Sequence, residues 1–341
     1  QNKKMTLPSH YQKLTATQYS KNFRQAVQLQ TVPLNLPTGE DILIKNIYAG
    51  VNAADTMMAA GQYLLPTPLP CDMGAEAVGQ VVAVGDDVHQ YKVGDFVLTN
   101  AIGCGYCDYY TISARRAVAI PAATPEIMSL SIGGLTASIG LEVIGEMKAG
   151  ETILVTAAAG GTGQFAVQLA KLAGCKVIGT CSSDEKADLL RSWGCDRPVN
   201  YKTENLRDVL KKEFPKGVDV VFESVGGDLF DVCVDNLARF GRLVTLGFIT
   251  EYKDQPDVVT GVRIYYKLLG KMASVRGFNL NLYWSRPHIL AEHMEKLIGL
   301  LNAGKLRPSI DPTIFNGVAS AVDAVEYLQA GKNSGKVIVR Y

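Results

Sequence analysis

Apolar and polar positions along the chain fall into three regimes. Up to residue 125 the apolar residues gather in short runs at 41–48, 77–84, 96–99 and 109–112. Turn residues Gly50, Gly74, Gly85-Asp86-Asp87 and Gly94-Asp95 separate them. Such runs predict strands, and together a small, mostly β, barrel-like domain. From 126 to 302 the pattern changes. Strand-like runs at 152–157, 176–181, 218–223, 242–247 and 274–278 alternate with helix-like segments at 163–173, 184–193, 206–213 and 229–238. That alternation predicts a doubly wound parallel sheet. From 303 to 341 the chain returns to a loop, a helix at 318–329 and a strand at 336–339. This tail is expected to fold back on the first domain. No internal repeat or low-complexity linker is evident.

One junction carries chemistry. Ala157-Ala158-Ala159-Gly160-Gly161-Thr162-Gly163-Gln164 lies between a predicted strand and a predicted helix. Small residues there let backbone amides approach a pyrophosphate, and the helix N-terminus offers it partial positive charge. The spacing Gly160-x-x-Gly163-x-x-Ala166 is a relative of the dinucleotide fingerprint, and the strand–turn–helix context supports that reading over packing glycines.

The end of the next strand discriminates between nucleotides. An NAD site places a carboxylate there for the ribose hydroxyls, and that charge would repel a 2′-phosphate. Here the strand ends Gly179-Thr180-Cys181-Ser182-Ser183, without an acid, and Lys186 follows within one turn. Hydroxyls and a lysine suit a 2′-phosphate through charge-assisted hydrogen bonds, which predicts NADPH. Lys186 as a solvated helix lysine is the alternative. Ser182-x-x-Glu185 also fits a capping box, so the neighbouring acids can serve the helix start.

Composition narrows the partners. Net charge is +1, so nucleic acid and anionic membrane surfaces are not expected. No apolar run approaches the roughly 20 residues of a membrane span. Seven cysteines, an odd number, suit reduced thiols. Cys104-x-x-Cys107 is the only close pair; it reads as half a zinc site, a redox couple, or two thiols in a surface turn. His10, His89, His288 and His293 are scattered and read as surface or capping side chains. The chain opens on Gln1, which suggests trimmed termini. Cytosol is the compartment expected from the residues given, with peroxisome or mitochondrion the alternatives if an address was removed.

Gly74-Ala75-Glu76-Ala77-Val78-Gly79 with Val84-Gly85 resembles the first-domain signature of the medium-chain dehydrogenase/reductase superfamily. The run from Ala158 to Ala170, Asn200-Tyr201-Lys202 and Gly331-Lys332-Asn333-Ser334-Gly335-Lys336 resemble its zinc-free quinone oxidoreductase branch. The resemblance covers nearly the whole chain. It implies a Rossmann doubly wound parallel sheet at 126–302 that binds NADPH, plus a GroES-like, mostly-β catalytic domain at 1–125 and 303–341.

Zinc members of the superfamily hold their catalytic metal at positions that match Asn52, Ala75 and about Ile132, none of which is an ordinary zinc ligand. No metal is therefore expected. Reducing an isolated ketone concentrates charge on one oxygen and favours a Lewis acid or a strong proton donor. Conjugate reduction of an enone spreads the charge over an enolate, which ordinary hydrogen-bond donors can stabilise in a dry pocket. The expected function is thus NADPH-dependent, metal-free reduction of the C=C bond of an α,β-unsaturated ketone; the resemblance implies an activity of the 15-oxo-prostaglandin 13-reductase kind, or on a comparable lipid enone. NADPH:quinone oxidoreduction is one alternative; a catalytically weak NADPH-binding structural protein is the other.

The resemblance also implies residues. Asn52 would lie near the nicotinamide and orient the ring or the substrate carbonyl; a turn-stabilising asparagine is the plain alternative. Tyr63 would line the pocket and donate to the enolate oxygen, with a packing aromatic as the alternative. Thr136 would sit close to the nicotinamide, with packing inside its helix as the alternative. Gly160, Gly161, Thr162, Gly163 and Gln164 would meet the pyrophosphate, and Ser183, Lys186 and Tyr201 the 2′-phosphate. Ser224 and Val225, Phe248 and Ile249, and Phe278 and Asn279 follow later strand ends, where ligands lie. Asn333 resembles a cofactor-contacting asparagine. The stretch 250–272, with Tyr252, Tyr265 and Tyr266, reads as a flap, a helix edge or a dimer surface. Strands 242–247 and 274–278 are candidates for subunit pairing in a homodimer.

Overall fold

The apolar runs of the first region do form strands, and two more precede them. The structure, a computed structural model, describes residues 6–63, 67–252 and 264–341. In chain order the first strands are β1 His10–Ala16, β2 Val27–Pro33, β3 Asp41–Gly50, β4 Cys71–Asp72, β5 Glu76–Val84, β6 Phe96–Asn100, β7 Tyr109–Ser113 and β8 Ala117–Ile120. Then come β9 Thr152–Val155, β10 Lys176–Cys181, β11 Arg197–Asn200, β12 Val218–Glu223, β13 Leu237–Thr245 and β14 Ser274–Gly277. The tail adds β15 Phe315–Asn316 and β16 Ile338–Arg340. Residue contacts divide the chain into two units, Gln1–Ser131 with Ile310–Tyr341, and Ile132–Ser309.

In the first unit β15-β16-β3-β5-β6-β8 form one sheet, with β7 also paired to β3, and β2-β1-β4 form another. The register sets which strand ends meet. Ala49 of β3 lies opposite Ala77 of β5, and Gly50 opposite Ile338 of β16. The C-terminal end of β3, the start of β5 and the approach to β16 are therefore neighbours.

The second unit orders its strands β11-β10-β9-β12-β13-β14, all parallel. This is the doubly wound order, with its switch point between β9 and β12. Ile153, Leu154, Val155, Val220 and Val221 are fully buried, as strands covered on both faces must be. Residues 303–309, which pattern alone groups with the tail, belong to this unit. Gln164 exchanges hydrogen bonds with the backbone of Ser309, and Gln168 with that of Arg307.

Several expectations need correction. Residues Pro125–Ile144 form one helix that is long and apolar enough to cross a membrane, with a mean hydropathy of 1.6. Its glycines, serines and Thr136 break up the apolar run, yet the mean hydropathy of the segment stays high. Most of it is buried, as in a core helix. Cys104 and Cys107 are not in a surface turn; both are buried, and Asn46 ties their carbonyls together at 2.8 and 2.7 Å. Burial pushes the Cys104 thiol up to about 11 and that of Cys107 well above its ordinary value, so neither is a ready nucleophile. His293 is buried too, bonded to Ser138 Oγ at 2.7 Å. Of the stretch 250–272, residues 253–263 lie outside the described residues; Ile264–Leu269 is a helix.

Candidate active site

In the first unit, two charged groups and one amide meet where β3, β5 and β16 converge. Asn52 follows β3, Glu76 opens β5, and Lys336 precedes β16. Asn52 Nδ2 donates to Glu76 Oε1 at 2.9 Å. Lys336 Nζ donates to Asn52 Oδ1 at 2.8 Å and pairs with the same Glu76 oxygen. Glu76 is 0% and Lys336 2% exposed. Gly50 makes room for this carboxylate: a Cβ there would lie 2.1 Å from Glu76 Oε1.

Asp55 extends the cluster. Its Oδ2 accepts the Asn52 backbone N–H at 2.9 Å and the Tyr106 hydroxyl at 2.5 Å, while Oδ1 is buried without a partner. Burial pushes this carboxyl up from 3.8 to about 6, against the pull of those two donors. The folded value lies above the unfolded one. The resulting stabilisation is therefore complete below about pH 4 and is lost as pH rises through about 6, a change of about 3 kcal/mol. Asp55→Asn should flatten the melting temperature between pH 4 and 7, read by calorimetry. An unchanged slope would remove Asp55 as its source.

In the second unit the glycine turn joins β9 to the helix Gly163–Leu172. Ala157 holds a left-handed backbone at φ +46°, and Ala158 N–H bonds the Thr180 carbonyl of β10 at 3.0 Å. Gly160, Gly161 and Thr162 form the turn, and Gly163 opens the helix. Gln164 departs from expectation. It is fully buried, and its carboxamide is spent on Ser309 and Gly161, so its side chain serves the fold and not a phosphate.

Ser183, Lys186 and Tyr201 gather at the carboxyl ends of β10 and β11, which are adjacent, with Cys181 opposite Asn200. Ser183, not Ser182, caps the helix Asp184–Ser192, accepting the Lys186 backbone N–H at 3.3 Å. The capping register is thus one residue later than the sequence pattern indicates. Asp184 accepts from Asn200 Nδ2 at 2.8 Å.

Ser224 and Val225 leave β12 on a turn shaped by Glu223. Its Oε1 accepts the amides of Val225 at 2.7 Å and Gly226 at 3.0 Å, and Thr156 Oγ1 receives the Ser224 amide at 2.9 Å. Phe248 stacks edge-on with Tyr252, and Ile249 is exposed. Phe278 is buried against Tyr283, and Asn279 Oδ1 accepts the Asn281 amide at 3.0 Å. Thr136 is buried within its helix.

The remaining first-unit candidates differ. Tyr63 is half-buried against the core and borders 64–66, which lie outside the described residues. Asn333 is buried and donates its amide to the Gly335 carbonyl at 2.9 Å, so its N–H shapes its own turn. Sequence reasoning missed Asp55, Glu76, Lys336 and Glu223 as site residues. The available signal was a lone charge inside an apolar run, as at Ala75-Glu76-Ala77, which is costly unless it finds a partner. Among the described residues, no group of three or more His, Cys, Asp or Glu is placed to hold a metal ion.

Known proteins share this architecture. A zinc-binding dehydrogenase family model matches residues 161–297, and an alcohol dehydrogenase GroES-like domain model matches 38–139. Prostaglandin reductase-3 of Mus musculus is 45% identical over 344 residues, 98% of this chain and 90% of that protein. The NADP(+)-dependent 2-alkenal reductase of Nicotiana tabacum is 31% identical over 337 residues, 95% of this chain and 94% of that one. The crystal structure of Escherichia coli quinone oxidoreductase complexed with NADPH matches with a TM-score of 0.85 at 29% identity, covering 97% of this chain and all of that one.

Proposed function

The chain belongs to the quinone oxidoreductase-like branch of the medium-chain dehydrogenase/reductase family, and from that premise we propose an NADPH-dependent reductase of the C=C bond of α,β-unsaturated ketones. The observation that carries this reading is the strand–turn–helix at 152–172. At its tight turn a Cβ on Gly163 would lie 2.4 Å from the Ala157 carbonyl. That cradle and the acid-free end of β10 fit a phosphorylated dinucleotide. NADPH, when bound, supplies the hydride.

The chain's own residues do the rest. Gly160, Gly161, Thr162 and Gly163 bring backbone amides to the pyrophosphate. Ser183, Lys186 and Tyr201 take the 2′-phosphate. Glu223 holds the turn that carries Ser224 and Val225, while Phe248, Ile249, Phe278 and Asn279 bound the ribose and nicotinamide. In the second unit Thr136 packs by the ring; in the first, Asn52 and Tyr63 are hydrogen-bond donors of the kind that an enolate oxygen accepts. A neutral donor set suits an enolate better than a localised alkoxide.

The likeness to a quinone oxidoreductase favours quinones as a second acceptor class. The test supplies NADPH with a panel of enones and quinones, with and without a chelator, and identifies products. A saturated ketone is the expected product. Hydroquinone alone would move the assignment to the second class. An allylic alcohol, lost on chelation, would overturn the metal-free reading. A homodimer belongs to the proposal: β14 ends the six-stranded sheet, and Tyr265, Tyr266, Leu269 and Met272 are exposed nearby in sequence.

A further inference from the structure

Lys336 carries an ammonium group into a nearly dry position. Such a burial needs a reason. A buried ion pair does not generally stabilise a fold more than a well-packed apolar pair of similar volume.

The reason lies in what an amide cannot decide alone. Asn52 can face either way, offering oxygen or N–H. An ammonium group only donates, so the atom facing Lys336 Nζ at 2.8 Å must be the amide oxygen. A carboxylate only accepts, so the atom facing Glu76 Oε1 at 2.9 Å must be the amide nitrogen. The two neighbours act from opposite ends and select one orientation. One Nδ2 hydrogen is used on Glu76; the second has no partner among the described residues.

We infer that Lys336 is a positioning residue for the reduction: by holding Asn52 Oδ1 it keeps the second Nδ2 hydrogen presented to the substrate carbonyl, so that Asn52 acts as a donor only. This role rests on the reductase reading. Lys336 is assigned no contact with substrate or cofactor; it is held by Asn52 and Glu76. Its effect passes entirely through Asn52, with Glu76 as the counter-charge that makes the burial tolerable.

A double-mutant cycle reads the coupling. Lys336→Met and Asn52→Ala should each lower kcat for an enone by about 100-fold, the size seen when one donor to a developing oxyanion is removed. The double variant should be no slower than Asn52→Ala alone, because one group acts through the other. The dissociation constant for NADPH should stay within about twofold, since Asn52 is not assigned to the phosphates. Lys336→Met alone leaves Glu76 buried without its cation, so Lys336→Met/Glu76→Gln is made beside it; that pair should keep its melting temperature and still lose kcat. Turnover at the native rate by that pair, or effects that multiply in the cycle, would overturn the inference.

A readout independent of turnover separates this from failure of the functional reading. In ¹⁵N spectra of the ligand-free protein, the two Asn52 side-chain NH₂ protons should resonate at shifts set by their unequal surroundings, one bonded to Glu76 Oε1 and one not. Lys336→Met should move those shifts, because the amide loses the partner that fixes its orientation. Wild-type protein that reduces no enone or quinone would sink the reductase reading. An Asn52 amide unaffected by Lys336→Met would sink the positioning role, whatever the activity.

Discussion

Gly163→Ala is expected to weaken NADPH binding by about 100-fold, equivalent to about 2.7 kcal/mol. The added methyl would lie 2.4 Å from the Ala157 carbonyl oxygen, 2.7 Å from Ala158 Cα and 2.8 Å from the Ala158 oxygen. These are backbone atoms, so no side chain can swing aside. The turn has little slack. Ala157 already holds φ at +46°, and Ala158 is tied to Thr180 in the neighbouring strand. Overpacking of this sort costs about 1–3 kcal/mol, and here it falls on the amides meant for the pyrophosphate. Gly299→Ala is the matched control. It lies in the helix Pro287–Asn302 of the same unit, and a Cβ there would meet nothing within 4 Å. It should gain stability, by up to about 1 kcal/mol, because alanine favours helix. Fluorescence titration with NADPH decides the matter. Native affinity in Gly163→Ala would mean the turn does not bear the pyrophosphate.

The sequence made some features plain and hid others, for physical reasons. The strands of the parallel sheet were readable because both faces are covered, so runs such as Ile153-Leu154-Val155 and Val220-Val221-Phe222 are unbroken. β11 was not, because Pro198 and the polar residues Arg197 and Asn200 leave no run to see. β1 and β2 were missed because polar residues stand between apolar ones, as in Gln12-Lys13-Leu14-Thr15. The glycine turn could be read because a backbone site needs local spacing. The Asn52 cluster could not, because it is a tertiary object. Glu76 lies 24 and Lys336 284 residues from Asn52 in the chain, and only the pairing of β3 with β5 and β16 brings them together. Gln164 shows the opposite error. Its place beside the turn suggested a phosphate, yet its amide satisfies the backbone of Ser309.

Lys186→Ala should raise the KM for NADPH by about 10- to 100-fold while leaving that for NADH within about twofold, since a hydrogen bond to a charged group is worth about 1.5–3 kcal/mol. Asp184, the acid closest to the end of β10, accepts from Asn200 Nδ2 at 2.8 Å, which fixes its orientation toward β11, and it is exposed to screening solvent. Glu185 has its carboxyl held below the usual value by a hydrogen bond from Ser183 and lies on the exposed face. Lys186 is also a cleaner probe than Ser183. The Ser183 hydroxyl caps the helix by accepting the Lys186 backbone N–H, so Ser183→Ala would cost about 1 kcal/mol of helix stability besides any phosphate contact. Lys186→Ala keeps that backbone N–H and puts a better helix former in its place. Its effect on affinity is therefore a charge effect, and rising salt should shrink the gap between wild type and variant for NADPH alone. Equal losses for NADPH and NADH would assign Lys186 to the helix surface and leave the 2′-phosphate without its cation.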